Sequence, residues 1–161
     1  MQKNKTALMT AAALLARQEQ SSKNLKRKLL AKKYSAVEAQ EAIETLQERN
    51  YLNDEETCKR QFENFYSEGK LSVKQIYSKL LQRGFDSASV KNLIPRDYYE
   101  HELKAATRAL EKNFANVDFS ELEGEEKLKF KNKIYRHLSS KGFSSEIISA
   151  ATEKFFAEDM D

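Results

Sequence analysis

The sequence has one cysteine, one proline and four glycines among 161 residues, and it has no tryptophan. A single cysteine, Cys58, excludes an intramolecular disulfide, and so few glycines and prolines leave little turn chemistry for an all-β fold. No apolar run approaches the roughly 20 residues that a membrane-spanning helix needs. His101 and His137 stand far apart, so no Cys/His metal motif is present. These absences predict a helical, cytoplasmic protein with no membrane partner, no metal and no cofactor.

The composition that remains is suited to helices. Hydrophobic residues make up 40% and charged residues 33% of the chain, which is too apolar for a fully disordered protein. Residues that begin and end helices alternate along the sequence and predict nine helices. The predicted N-terminal capping residues are a serine of "SSKN" at 21–24, Ser35, Asn53, Ser72, Asp86, Asp97 and Ser144, and the predicted stops are Asn50, Gly69, Gly84, Pro95 and Gly142.

Three stretches of the sequence repeat one pattern. They are "KLLAKKYSAVEA" at 28–39, "KLLQRGFDSASV" at 79–90 and "HLSSKGFSSEII" at 137–148, aligned on Tyr34, Phe85 and Phe143. Apolar residues recur nine and five positions before each aromatic and five and eight positions after it, and a capping residue follows the aromatic directly. The pattern predicts a helix end, an aromatic that folds back onto that helix, and a capped start of the next helix.

The repeat organises the whole chain. We predict an all-α protein of three tandem three-helix repeats, at residues 1–52 (with the basic N-terminal part), 53–96 and 97–161, stacked into an elongated, curved body. The alternative is one compact helical bundle whose corners share capping chemistry. Lys33 occupies the position that Gly84 and Gly142 fill in the other repeats, so the first corner is expected to be the least stable.

Positive charge is concentrated at one end. Residues 1–33 contain nine Lys or Arg and one acid, a net charge of +8, whereas the remainder has 19 basic and 24 acidic residues. Basic residues also recur six and two positions before the corner aromatics, so they are helix neighbours. The purely structural explanation is that the helix dipole favours cations near helix C-termini, where their side chains face solvent. The functional explanation is a basic strip that binds a partner or DNA, formed by Lys23, Lys26, Arg27, Lys28, Lys32, Lys79, Arg83, Lys133 and Lys141.

No pattern in the sequence indicates catalysis. Cys58 lies in "ETCKRQ", where a half-buried structural thiol is expected, and His137 precedes a helix C-terminus, a place that favours an imidazole without any catalytic role. No glycine-rich phosphate loop occurs. The chain is therefore predicted not to be an enzyme.

Several stretches of the sequence carry a family resemblance. They are "YLNDEE", followed by "IYSKLLQRGF", and also "ALLARQEQSSKNLKRKLLAKKYS", "YYEHELKAATRALEKNF" and "LSSKGFSSEIISAA". Together they resemble the RecX family of bacterial regulators of the RecA recombinase. The resemblance implies three tandem three-helix repeats without catalytic activity. It also implies a partner, the RecA filament on single-stranded DNA, whose extension, ATPase and strand exchange such proteins inhibit; some members bind DNA directly. Lys33 and Pro95 depart from the family pattern, which puts the angle between the second and third repeats in doubt.

Three functions remain open at this point. The first is a regulator of homologous recombination and DNA repair that occupies the groove of the RecA filament. The second is a helical DNA-binding protein that contacts phosphates through its basic N-terminal repeat, and the third is a general helical scaffold. A monomer is expected in each case, because the repeat pattern uses most of the apolar residues.

Overall fold

The computed structural model describes residues 5–117 and 121–158, and this part of the chain forms nine α-helices and no β-strand. The all-α prediction is therefore confirmed. The helices are α1 (Ala7–Arg17), α2 (Ser22–Ala31), α3 (Ala36–Glu48), α4 (Asp54–Glu68), α5 (Val73–Gln82), α6 (Ser87–Leu93), α7 (Tyr99–Phe114), α8 (Gly124–Ser140) and α9 (Ser145–Glu158). Among the described residues, no helix combines the length and the apolar character needed to cross a membrane.

The chain divides into two compact units. The first comprises Met1–Phe62 with Lys79–Leu93, and the second comprises Glu63–Ser78 with Ile94–Asp161. The core of the first unit is built mainly by α1, α2 and α3, and that of the second by α7, α8 and α9. The division into three repeats at residues 52 and 96 stays a prediction.

The second helix of each predicted repeat ends in the same backbone conformation. Lys33, Gly84 and Gly142 all have positive φ, at 72°, 89° and 87°. The amide of the aromatic that follows donates to a carbonyl in the last turn of the helix: Tyr34 to Leu29 at 3.3 Å, Phe85 to Leu80 at 3.2 Å and Phe143 to Leu138 at 3.4 Å. This is the left-handed helix end with a back-folded residue that the sequence predicts.

The apolar positions of the three corners are buried alike. Leu25, Ile76 and Ile134, nine residues before the aromatics, have no exposed surface, and the same is true of Leu29, Leu80 and Leu138. Phe85 and Phe143 are each 5% exposed, whereas Tyr34 is half-buried and its hydroxyl donates to the carbonyl of Lys5 at 2.8 Å. The aromatics therefore occupy equivalent surroundings, as predicted.

Most of the predicted caps are present. Ser35 and Glu38 form a reciprocal capping box at the start of α3, Asp86 accepts from the amides of Ala88 and Ser89, and Ser144 accepts from the amide of Ile147 at 3.3 Å. The predicted serine cap of "SSKN" is Ser21, at the start of α2. One assignment is wrong in detail: Tyr98 takes the capping position before α7, and Asp97 accepts from the amide of Tyr99 at 3.1 Å.

Two capping serines also donate a hydrogen bond to a corner further along the chain, in each case the corner of the following predicted repeat. The Ser21 hydroxyl accepts from the amide of Asn24 and donates to the carbonyl of Arg83 at 2.5 Å. In the same way, Ser72 accepts from the amide of Gln75 and donates to the carbonyl of Lys141 at 2.6 Å. A helix N-terminus thus lies directly against each glycine corner.

The close approach explains where glycine is required. A β-carbon on Gly84 would lie 2.6 Å from the Ser21 hydroxyl oxygen, and one on Gly142 would lie 2.5 Å from the δ-carbon of Lys74. Lys33 is exposed at the first corner, so a side chain there meets only the backbone penalty of a positive φ. This is why lysine is tolerated at one corner of the three.

Candidate partner-binding surface

Five of the nine predicted strip residues lie on or directly after α2. The helix buries Leu25 and Leu29, which lie one turn apart, so its polar residues occupy the other faces. The basic side chains range from half-buried to exposed; they are Lys23, Lys26, Arg27, Lys28 and Lys32. Their common helix makes α2 the densest basic element of the first unit.

Two of these cations are held by neutral amides. Nζ of Lys26 donates to Oε1 of Gln40 at 2.7 Å, and Nη2 of Arg27 donates to Oδ1 of Asn24, also at 2.7 Å. An amide oxygen orients a cation without cancelling its charge. These contacts therefore order the two side chains while leaving them able to attract an anionic partner.

Two further strip residues lie at the C-terminal end of α5, and one of them also has structural contacts. Lys79 and Arg83 lie four residues apart at the end of the helix, in the same unit as α2. The Arg83 guanidinium donates to Oε1 of Gln61 at 2.5 Å, and the Arg83 carbonyl accepts the Ser21 hydroxyl. Arg83 thus contributes to folding, a role that the sequence pattern did not indicate because Gln61 lies 22 residues away.

The last two strip residues belong to the second unit. Lys133 lies on α8 with Nζ 5.7 Å from the centre of the Phe114 ring, a cation–π arrangement. Lys141 ends α8, and its carbonyl accepts the hydroxyl of Ser72. Because these residues and those of α2 fall in separate units, one continuous strip stays a prediction.

His137 is less polar in its surroundings than its position suggests. Its ring packs edge-on against Phe114, with 5.5 Å between ring centres, and Nε2 is buried without a hydrogen-bond partner. Burial, and then the nearby Lys141, lower the pKa of His137 below its ordinary value of 6.5. Burial therefore disfavours the charged form of this imidazole, although the residue lies near a helix C-terminus.

Sequence reasoning missed a buried polar pair on α7. Glu102 is 6% exposed and accepts from the amide of Val73 at 2.6 Å, so it supports the start of α5. His101 is 9% exposed, stacks on the Tyr66 ring at 3.9 Å, and lies with Nε2 2.9 Å from the carbonyl oxygen of Leu71. Burial is the main cause that raises the pKa of Glu102 and lowers that of His101. The only signal in the sequence is two titratable residues on a helix face that otherwise carries alanine and leucine.

The remaining titratable candidates form no chemical site. Cys58 is more deeply buried than predicted, at 1% exposed, and burial raises the pKa of its thiol. That shift is opposite to the one that activates a nucleophilic cysteine. Within residues 5–117 and 121–158, no three His, Cys, Asp or Glu side chains lie close enough together to hold a metal ion.

Comparison with known proteins gives a consistent result. A family model described as "RecX, third three-helix domain" matches residues 100–152. The curated "Regulatory protein RecX" of Neisseria gonorrhoeae is 28% identical over 162 residues, an alignment that covers 100% of this chain and 98% of that protein. The protein of the same name from Trichlorobacter lovleyi is 25% identical and is covered to 93%.

The chain is similar over its whole length to proteins named for the RecX family, and residues 100–152 match that family's third three-helix domain. The relatives that it matches over its length are named regulatory proteins, a name that denotes no enzymatic activity. A solved structure agrees on the fold: "Crystal structure of RecX from Lactobacillus salivarius" matches with a TM-score of 0.68 and 20% identity, covering 94% of this chain and 95% of that one. That structure therefore shares the helical fold described above.

Proposed function

We propose that the chain is a non-enzymatic, cytoplasmic and monomeric regulator of homologous recombination and DNA repair. It binds the groove of the RecA filament on single-stranded DNA and inhibits filament extension, ATPase activity and strand exchange. The observation that supports this most is the match over the whole chain to relatives named regulatory protein RecX. The fold is compatible with the proposal because its repeated backbone corners build a helical scaffold.

The basic residues of α2 supply the physical basis for recognition. Lys26 and Arg27 are oriented by neutral amides, and Lys23 and Lys32 are exposed nearby. Each exposed ion pair with a partner contributes only about 0.2 to 1 kcal/mol, so affinity has to come from many such contacts. A partner with a repeating acidic surface, such as a protein filament, provides that multiplicity.

The direct test measures ATP hydrolysis by the cognate RecA on single-stranded DNA. Adding the full chain at a concentration well below that of RecA is expected to reduce the rate, since one bound molecule affects more than one filament subunit. Unchanged hydrolysis at equimolar protein would contradict the proposal.

Charge reversal tests the role of α2. The double substitution Lys28→Glu and Lys32→Glu is expected to raise the concentration needed for half-inhibition roughly tenfold, because two weak attractions become repulsions. Arg83 is left intact because it donates to Gln61 and its carbonyl accepts from Ser21. The matched control is Lys91→Glu with Lys112→Glu, which changes the charge equally at exposed positions on α6 and α7. If both double variants inhibit equally and keep the same helical circular dichroism, α2 is not part of the binding surface.

Direct DNA binding is the second candidate function. It is favoured by the net charge of +8 over residues 1–33 and by the amide-held cations Lys26 and Arg27. Phosphate contacts of this kind would not require RecA. Gel-shift or anisotropy measurements on the chain alone therefore separate the two functions, and their salt dependence does so more sharply.

A further inference from the structure

Helix α1 has an unusual surface for a helix at the edge of a compact unit. From Ala7 to Ala16 it carries no charged residue, and only Thr10 is polar. Met9 is 59% exposed, and the exposed alanines continue the same surface. A solvent-facing helix normally alternates an apolar stripe with charged residues, so an uncharged outer face indicates a surface that contacts a partner.

Beside this face lies an apolar groove within the first unit. It has a volume of about 450 Å³, and its walls come from α1, the end of α3 and the residues just after it. The lining residues are Leu8, Ala12, Leu15, Ala16, Leu46, Arg49 and Tyr51. Leu46 is 3% exposed and forms the floor, whereas the Tyr51 ring is 72% exposed at one end.

We propose that this groove binds a short amphipathic helix of a partner protein that carries an acidic residue. The groove follows α1 from Leu8 to Leu15, a distance of about 10 Å at 1.5 Å per residue, which is two helical turns. A helix of that length presents apolar side chains at positions i, i+4 and i+7 along one stripe, the recurring way in which helices enter grooves. The small side chains of Ala12 and Ala16 let another backbone approach closely.

The charge of the groove selects an acidic partner. Arg49 is the only charged residue among the seven that line it, and Arg17 ends α1 next to the lining residue Ala16. None of the seven lining residues is a carboxylate that would compete for Arg49. Arginine and tyrosine are also the residue types that most often dominate the energy of protein interfaces, so Arg49 and Tyr51 are the expected anchors.

This inference goes beyond the proposed function, because the groove uses none of the predicted strip residues. The groove would bind such a helix whether or not the α2 cations contact a RecA filament. A second copy of the chain is a weaker fit, since two such grooves would bring Arg49 of one copy toward Arg49 of the other in a two-fold arrangement.

The probe is a phage-displayed library of 14-residue peptides on an alanine-rich helical scaffold. Positions i, i+3, i+4 and i+7 and their immediate neighbours are randomised, and the library is selected on the immobilised full chain. The enriched peptides are expected to combine two or three large apolar residues on one face with at least one Asp or Glu. Their affinities are then measured by fluorescence anisotropy.

Two variants and two matched controls locate the site. Tyr51→Ala and Arg49→Glu are each expected to weaken binding about tenfold or more, the effect of losing one interface anchor. Tyr135→Ala, at a tyrosine that is 50% exposed on α8, and Lys91→Glu, at an exposed position on α6, are expected to stay within about twofold of the parent. A peptide with its acidic residue changed to lysine should lose affinity for the parent and regain it with Arg49→Glu.

Several results would overturn the inference. These are the absence of any enriched helical peptide, enriched peptides without acidic residues, or binding that is equal in Tyr51→Ala and the parent. Concentration-dependent dimerisation that is abolished by Tyr51→Ala would assign the groove to a second copy instead. Inhibition of RecA is measured on the same variants to keep the two proposals separate. A variant that loses peptide binding but still inhibits RecA supports the groove proposal and leaves the proposed function unaffected.

Discussion

At the scale of single residues, the three corners differ in what stands at the position of positive φ. Gly84 faces the Ser21 hydroxyl, and a β-carbon there would lie 2.6 Å from its oxygen. Lys33 has the same backbone conformation, with φ 72°, but its side chain is exposed. Two separate constraints, backbone strain and lack of space, therefore act together at Gly84, whereas only strain acts at Lys33.

Opposite stability changes follow from this difference. Lys33→Gly is expected to raise the free energy of unfolding by about 0.5 to 1 kcal/mol, because relief of left-handed strain exceeds the added flexibility of the unfolded chain. Gly84→Ala is expected to lower it by about 2 kcal/mol or more, because strain and the clash add. Urea unfolding measures both.

Gly124→Ala is the control for backbone strain alone, since Gly124 has φ 50° and a β-carbon there meets nothing within 4 Å. The explanation of the corners fails if Gly84→Ala and Gly124→Ala lose the same free energy of unfolding, or if Lys33→Gly is destabilising.

The histidines give a pH dependence with a defined sign. Burial lowers the pKa of both His101 and His137 below 6.5 in the folded chain, so the unfolded chain binds more protons in the range just below that value. Stability attributable to these residues is complete above about pH 6.5 and is lost as the pH falls through the folded-state pKa. We expect the histidine contribution to the free energy of unfolding to rise between pH 5 and pH 6.5, so the difference between the parent chain and His137→Phe grows in favour of the parent. The raised pKa of Glu102 acts in the opposite direction, but it does so equally in both proteins. Urea titrations at several pH values check this, and an identical slope in the variant would contradict it.

At the scale of helices, the N-terminus of one and the C-terminal corner of another are joined by a buried serine. Ser72 has no exposed surface, caps α5 through the amide of Gln75 and donates to the carbonyl of Lys141. Ser21 does the same for α2 and Arg83. One hydroxyl thus satisfies a free amide and a free carbonyl, the two kinds of backbone group that helix ends leave unpaired.

Removal of such a hydroxyl leaves both groups unsatisfied. Ser72→Ala is expected to lower the free energy of unfolding by about 2 to 3 kcal/mol, combining a lost cap with a buried carbonyl left without a donor. Ser144→Ala is the matched control, because Ser144 caps α9 at an exposed position and should cost about 1 kcal/mol. Equal losses in thermal or urea unfolding would mean that the bond to Lys141 contributes nothing.

The same elements separate what sequence predicts well from what it does not. The helix ends at Gly84 and Gly142 and the capping box of Ser35 depend on residues within five positions, so local pattern was sufficient. The second bonds of Ser21 and Ser72 reach 62 and 69 residues along the chain, and only tertiary packing brings those carbonyls near. The available signal was that each serine is followed by a glycine corner in the next predicted repeat.

The proposed partner surfaces were harder to predict than the fold for a related reason. The basic residues of α2 follow from composition, yet the structural role of Arg83 depends on Gln61 and Ser21, which are distant in sequence. The groove beside α1 was missed because Leu8, Leu15 and Leu46 have the same spacing as core residues. Periodicity identifies the apolar face of a helix, but it does not distinguish a face that is covered by another helix from one that is open.

At the scale of the whole molecule, charge asymmetry underlies both candidate functions. Residues 1–33 carry a net +8 and the rest of the chain a net negative charge, so the basic end is attracted by any polyanion. DNA and an acidic protein surface differ, however, in the counterions that they release. Condensed counterions make DNA binding steeply salt-dependent, whereas a protein surface holds few of them.

Salt therefore discriminates between the functions. If the chain acts through about six phosphate contacts, its affinity falls about 10³-fold between 50 and 200 mM salt. We expect the concentration for half-inhibition of the RecA ATPase to change by less than about tenfold over that range, because surface ion pairs with protein are few and individually weak. RecA without the regulator, measured at each salt concentration, corrects for the salt response of the filament itself. A parallel 10³-fold loss of inhibition and of DNA affinity would make DNA binding the primary activity, and the α2 cations would then be phosphate contacts.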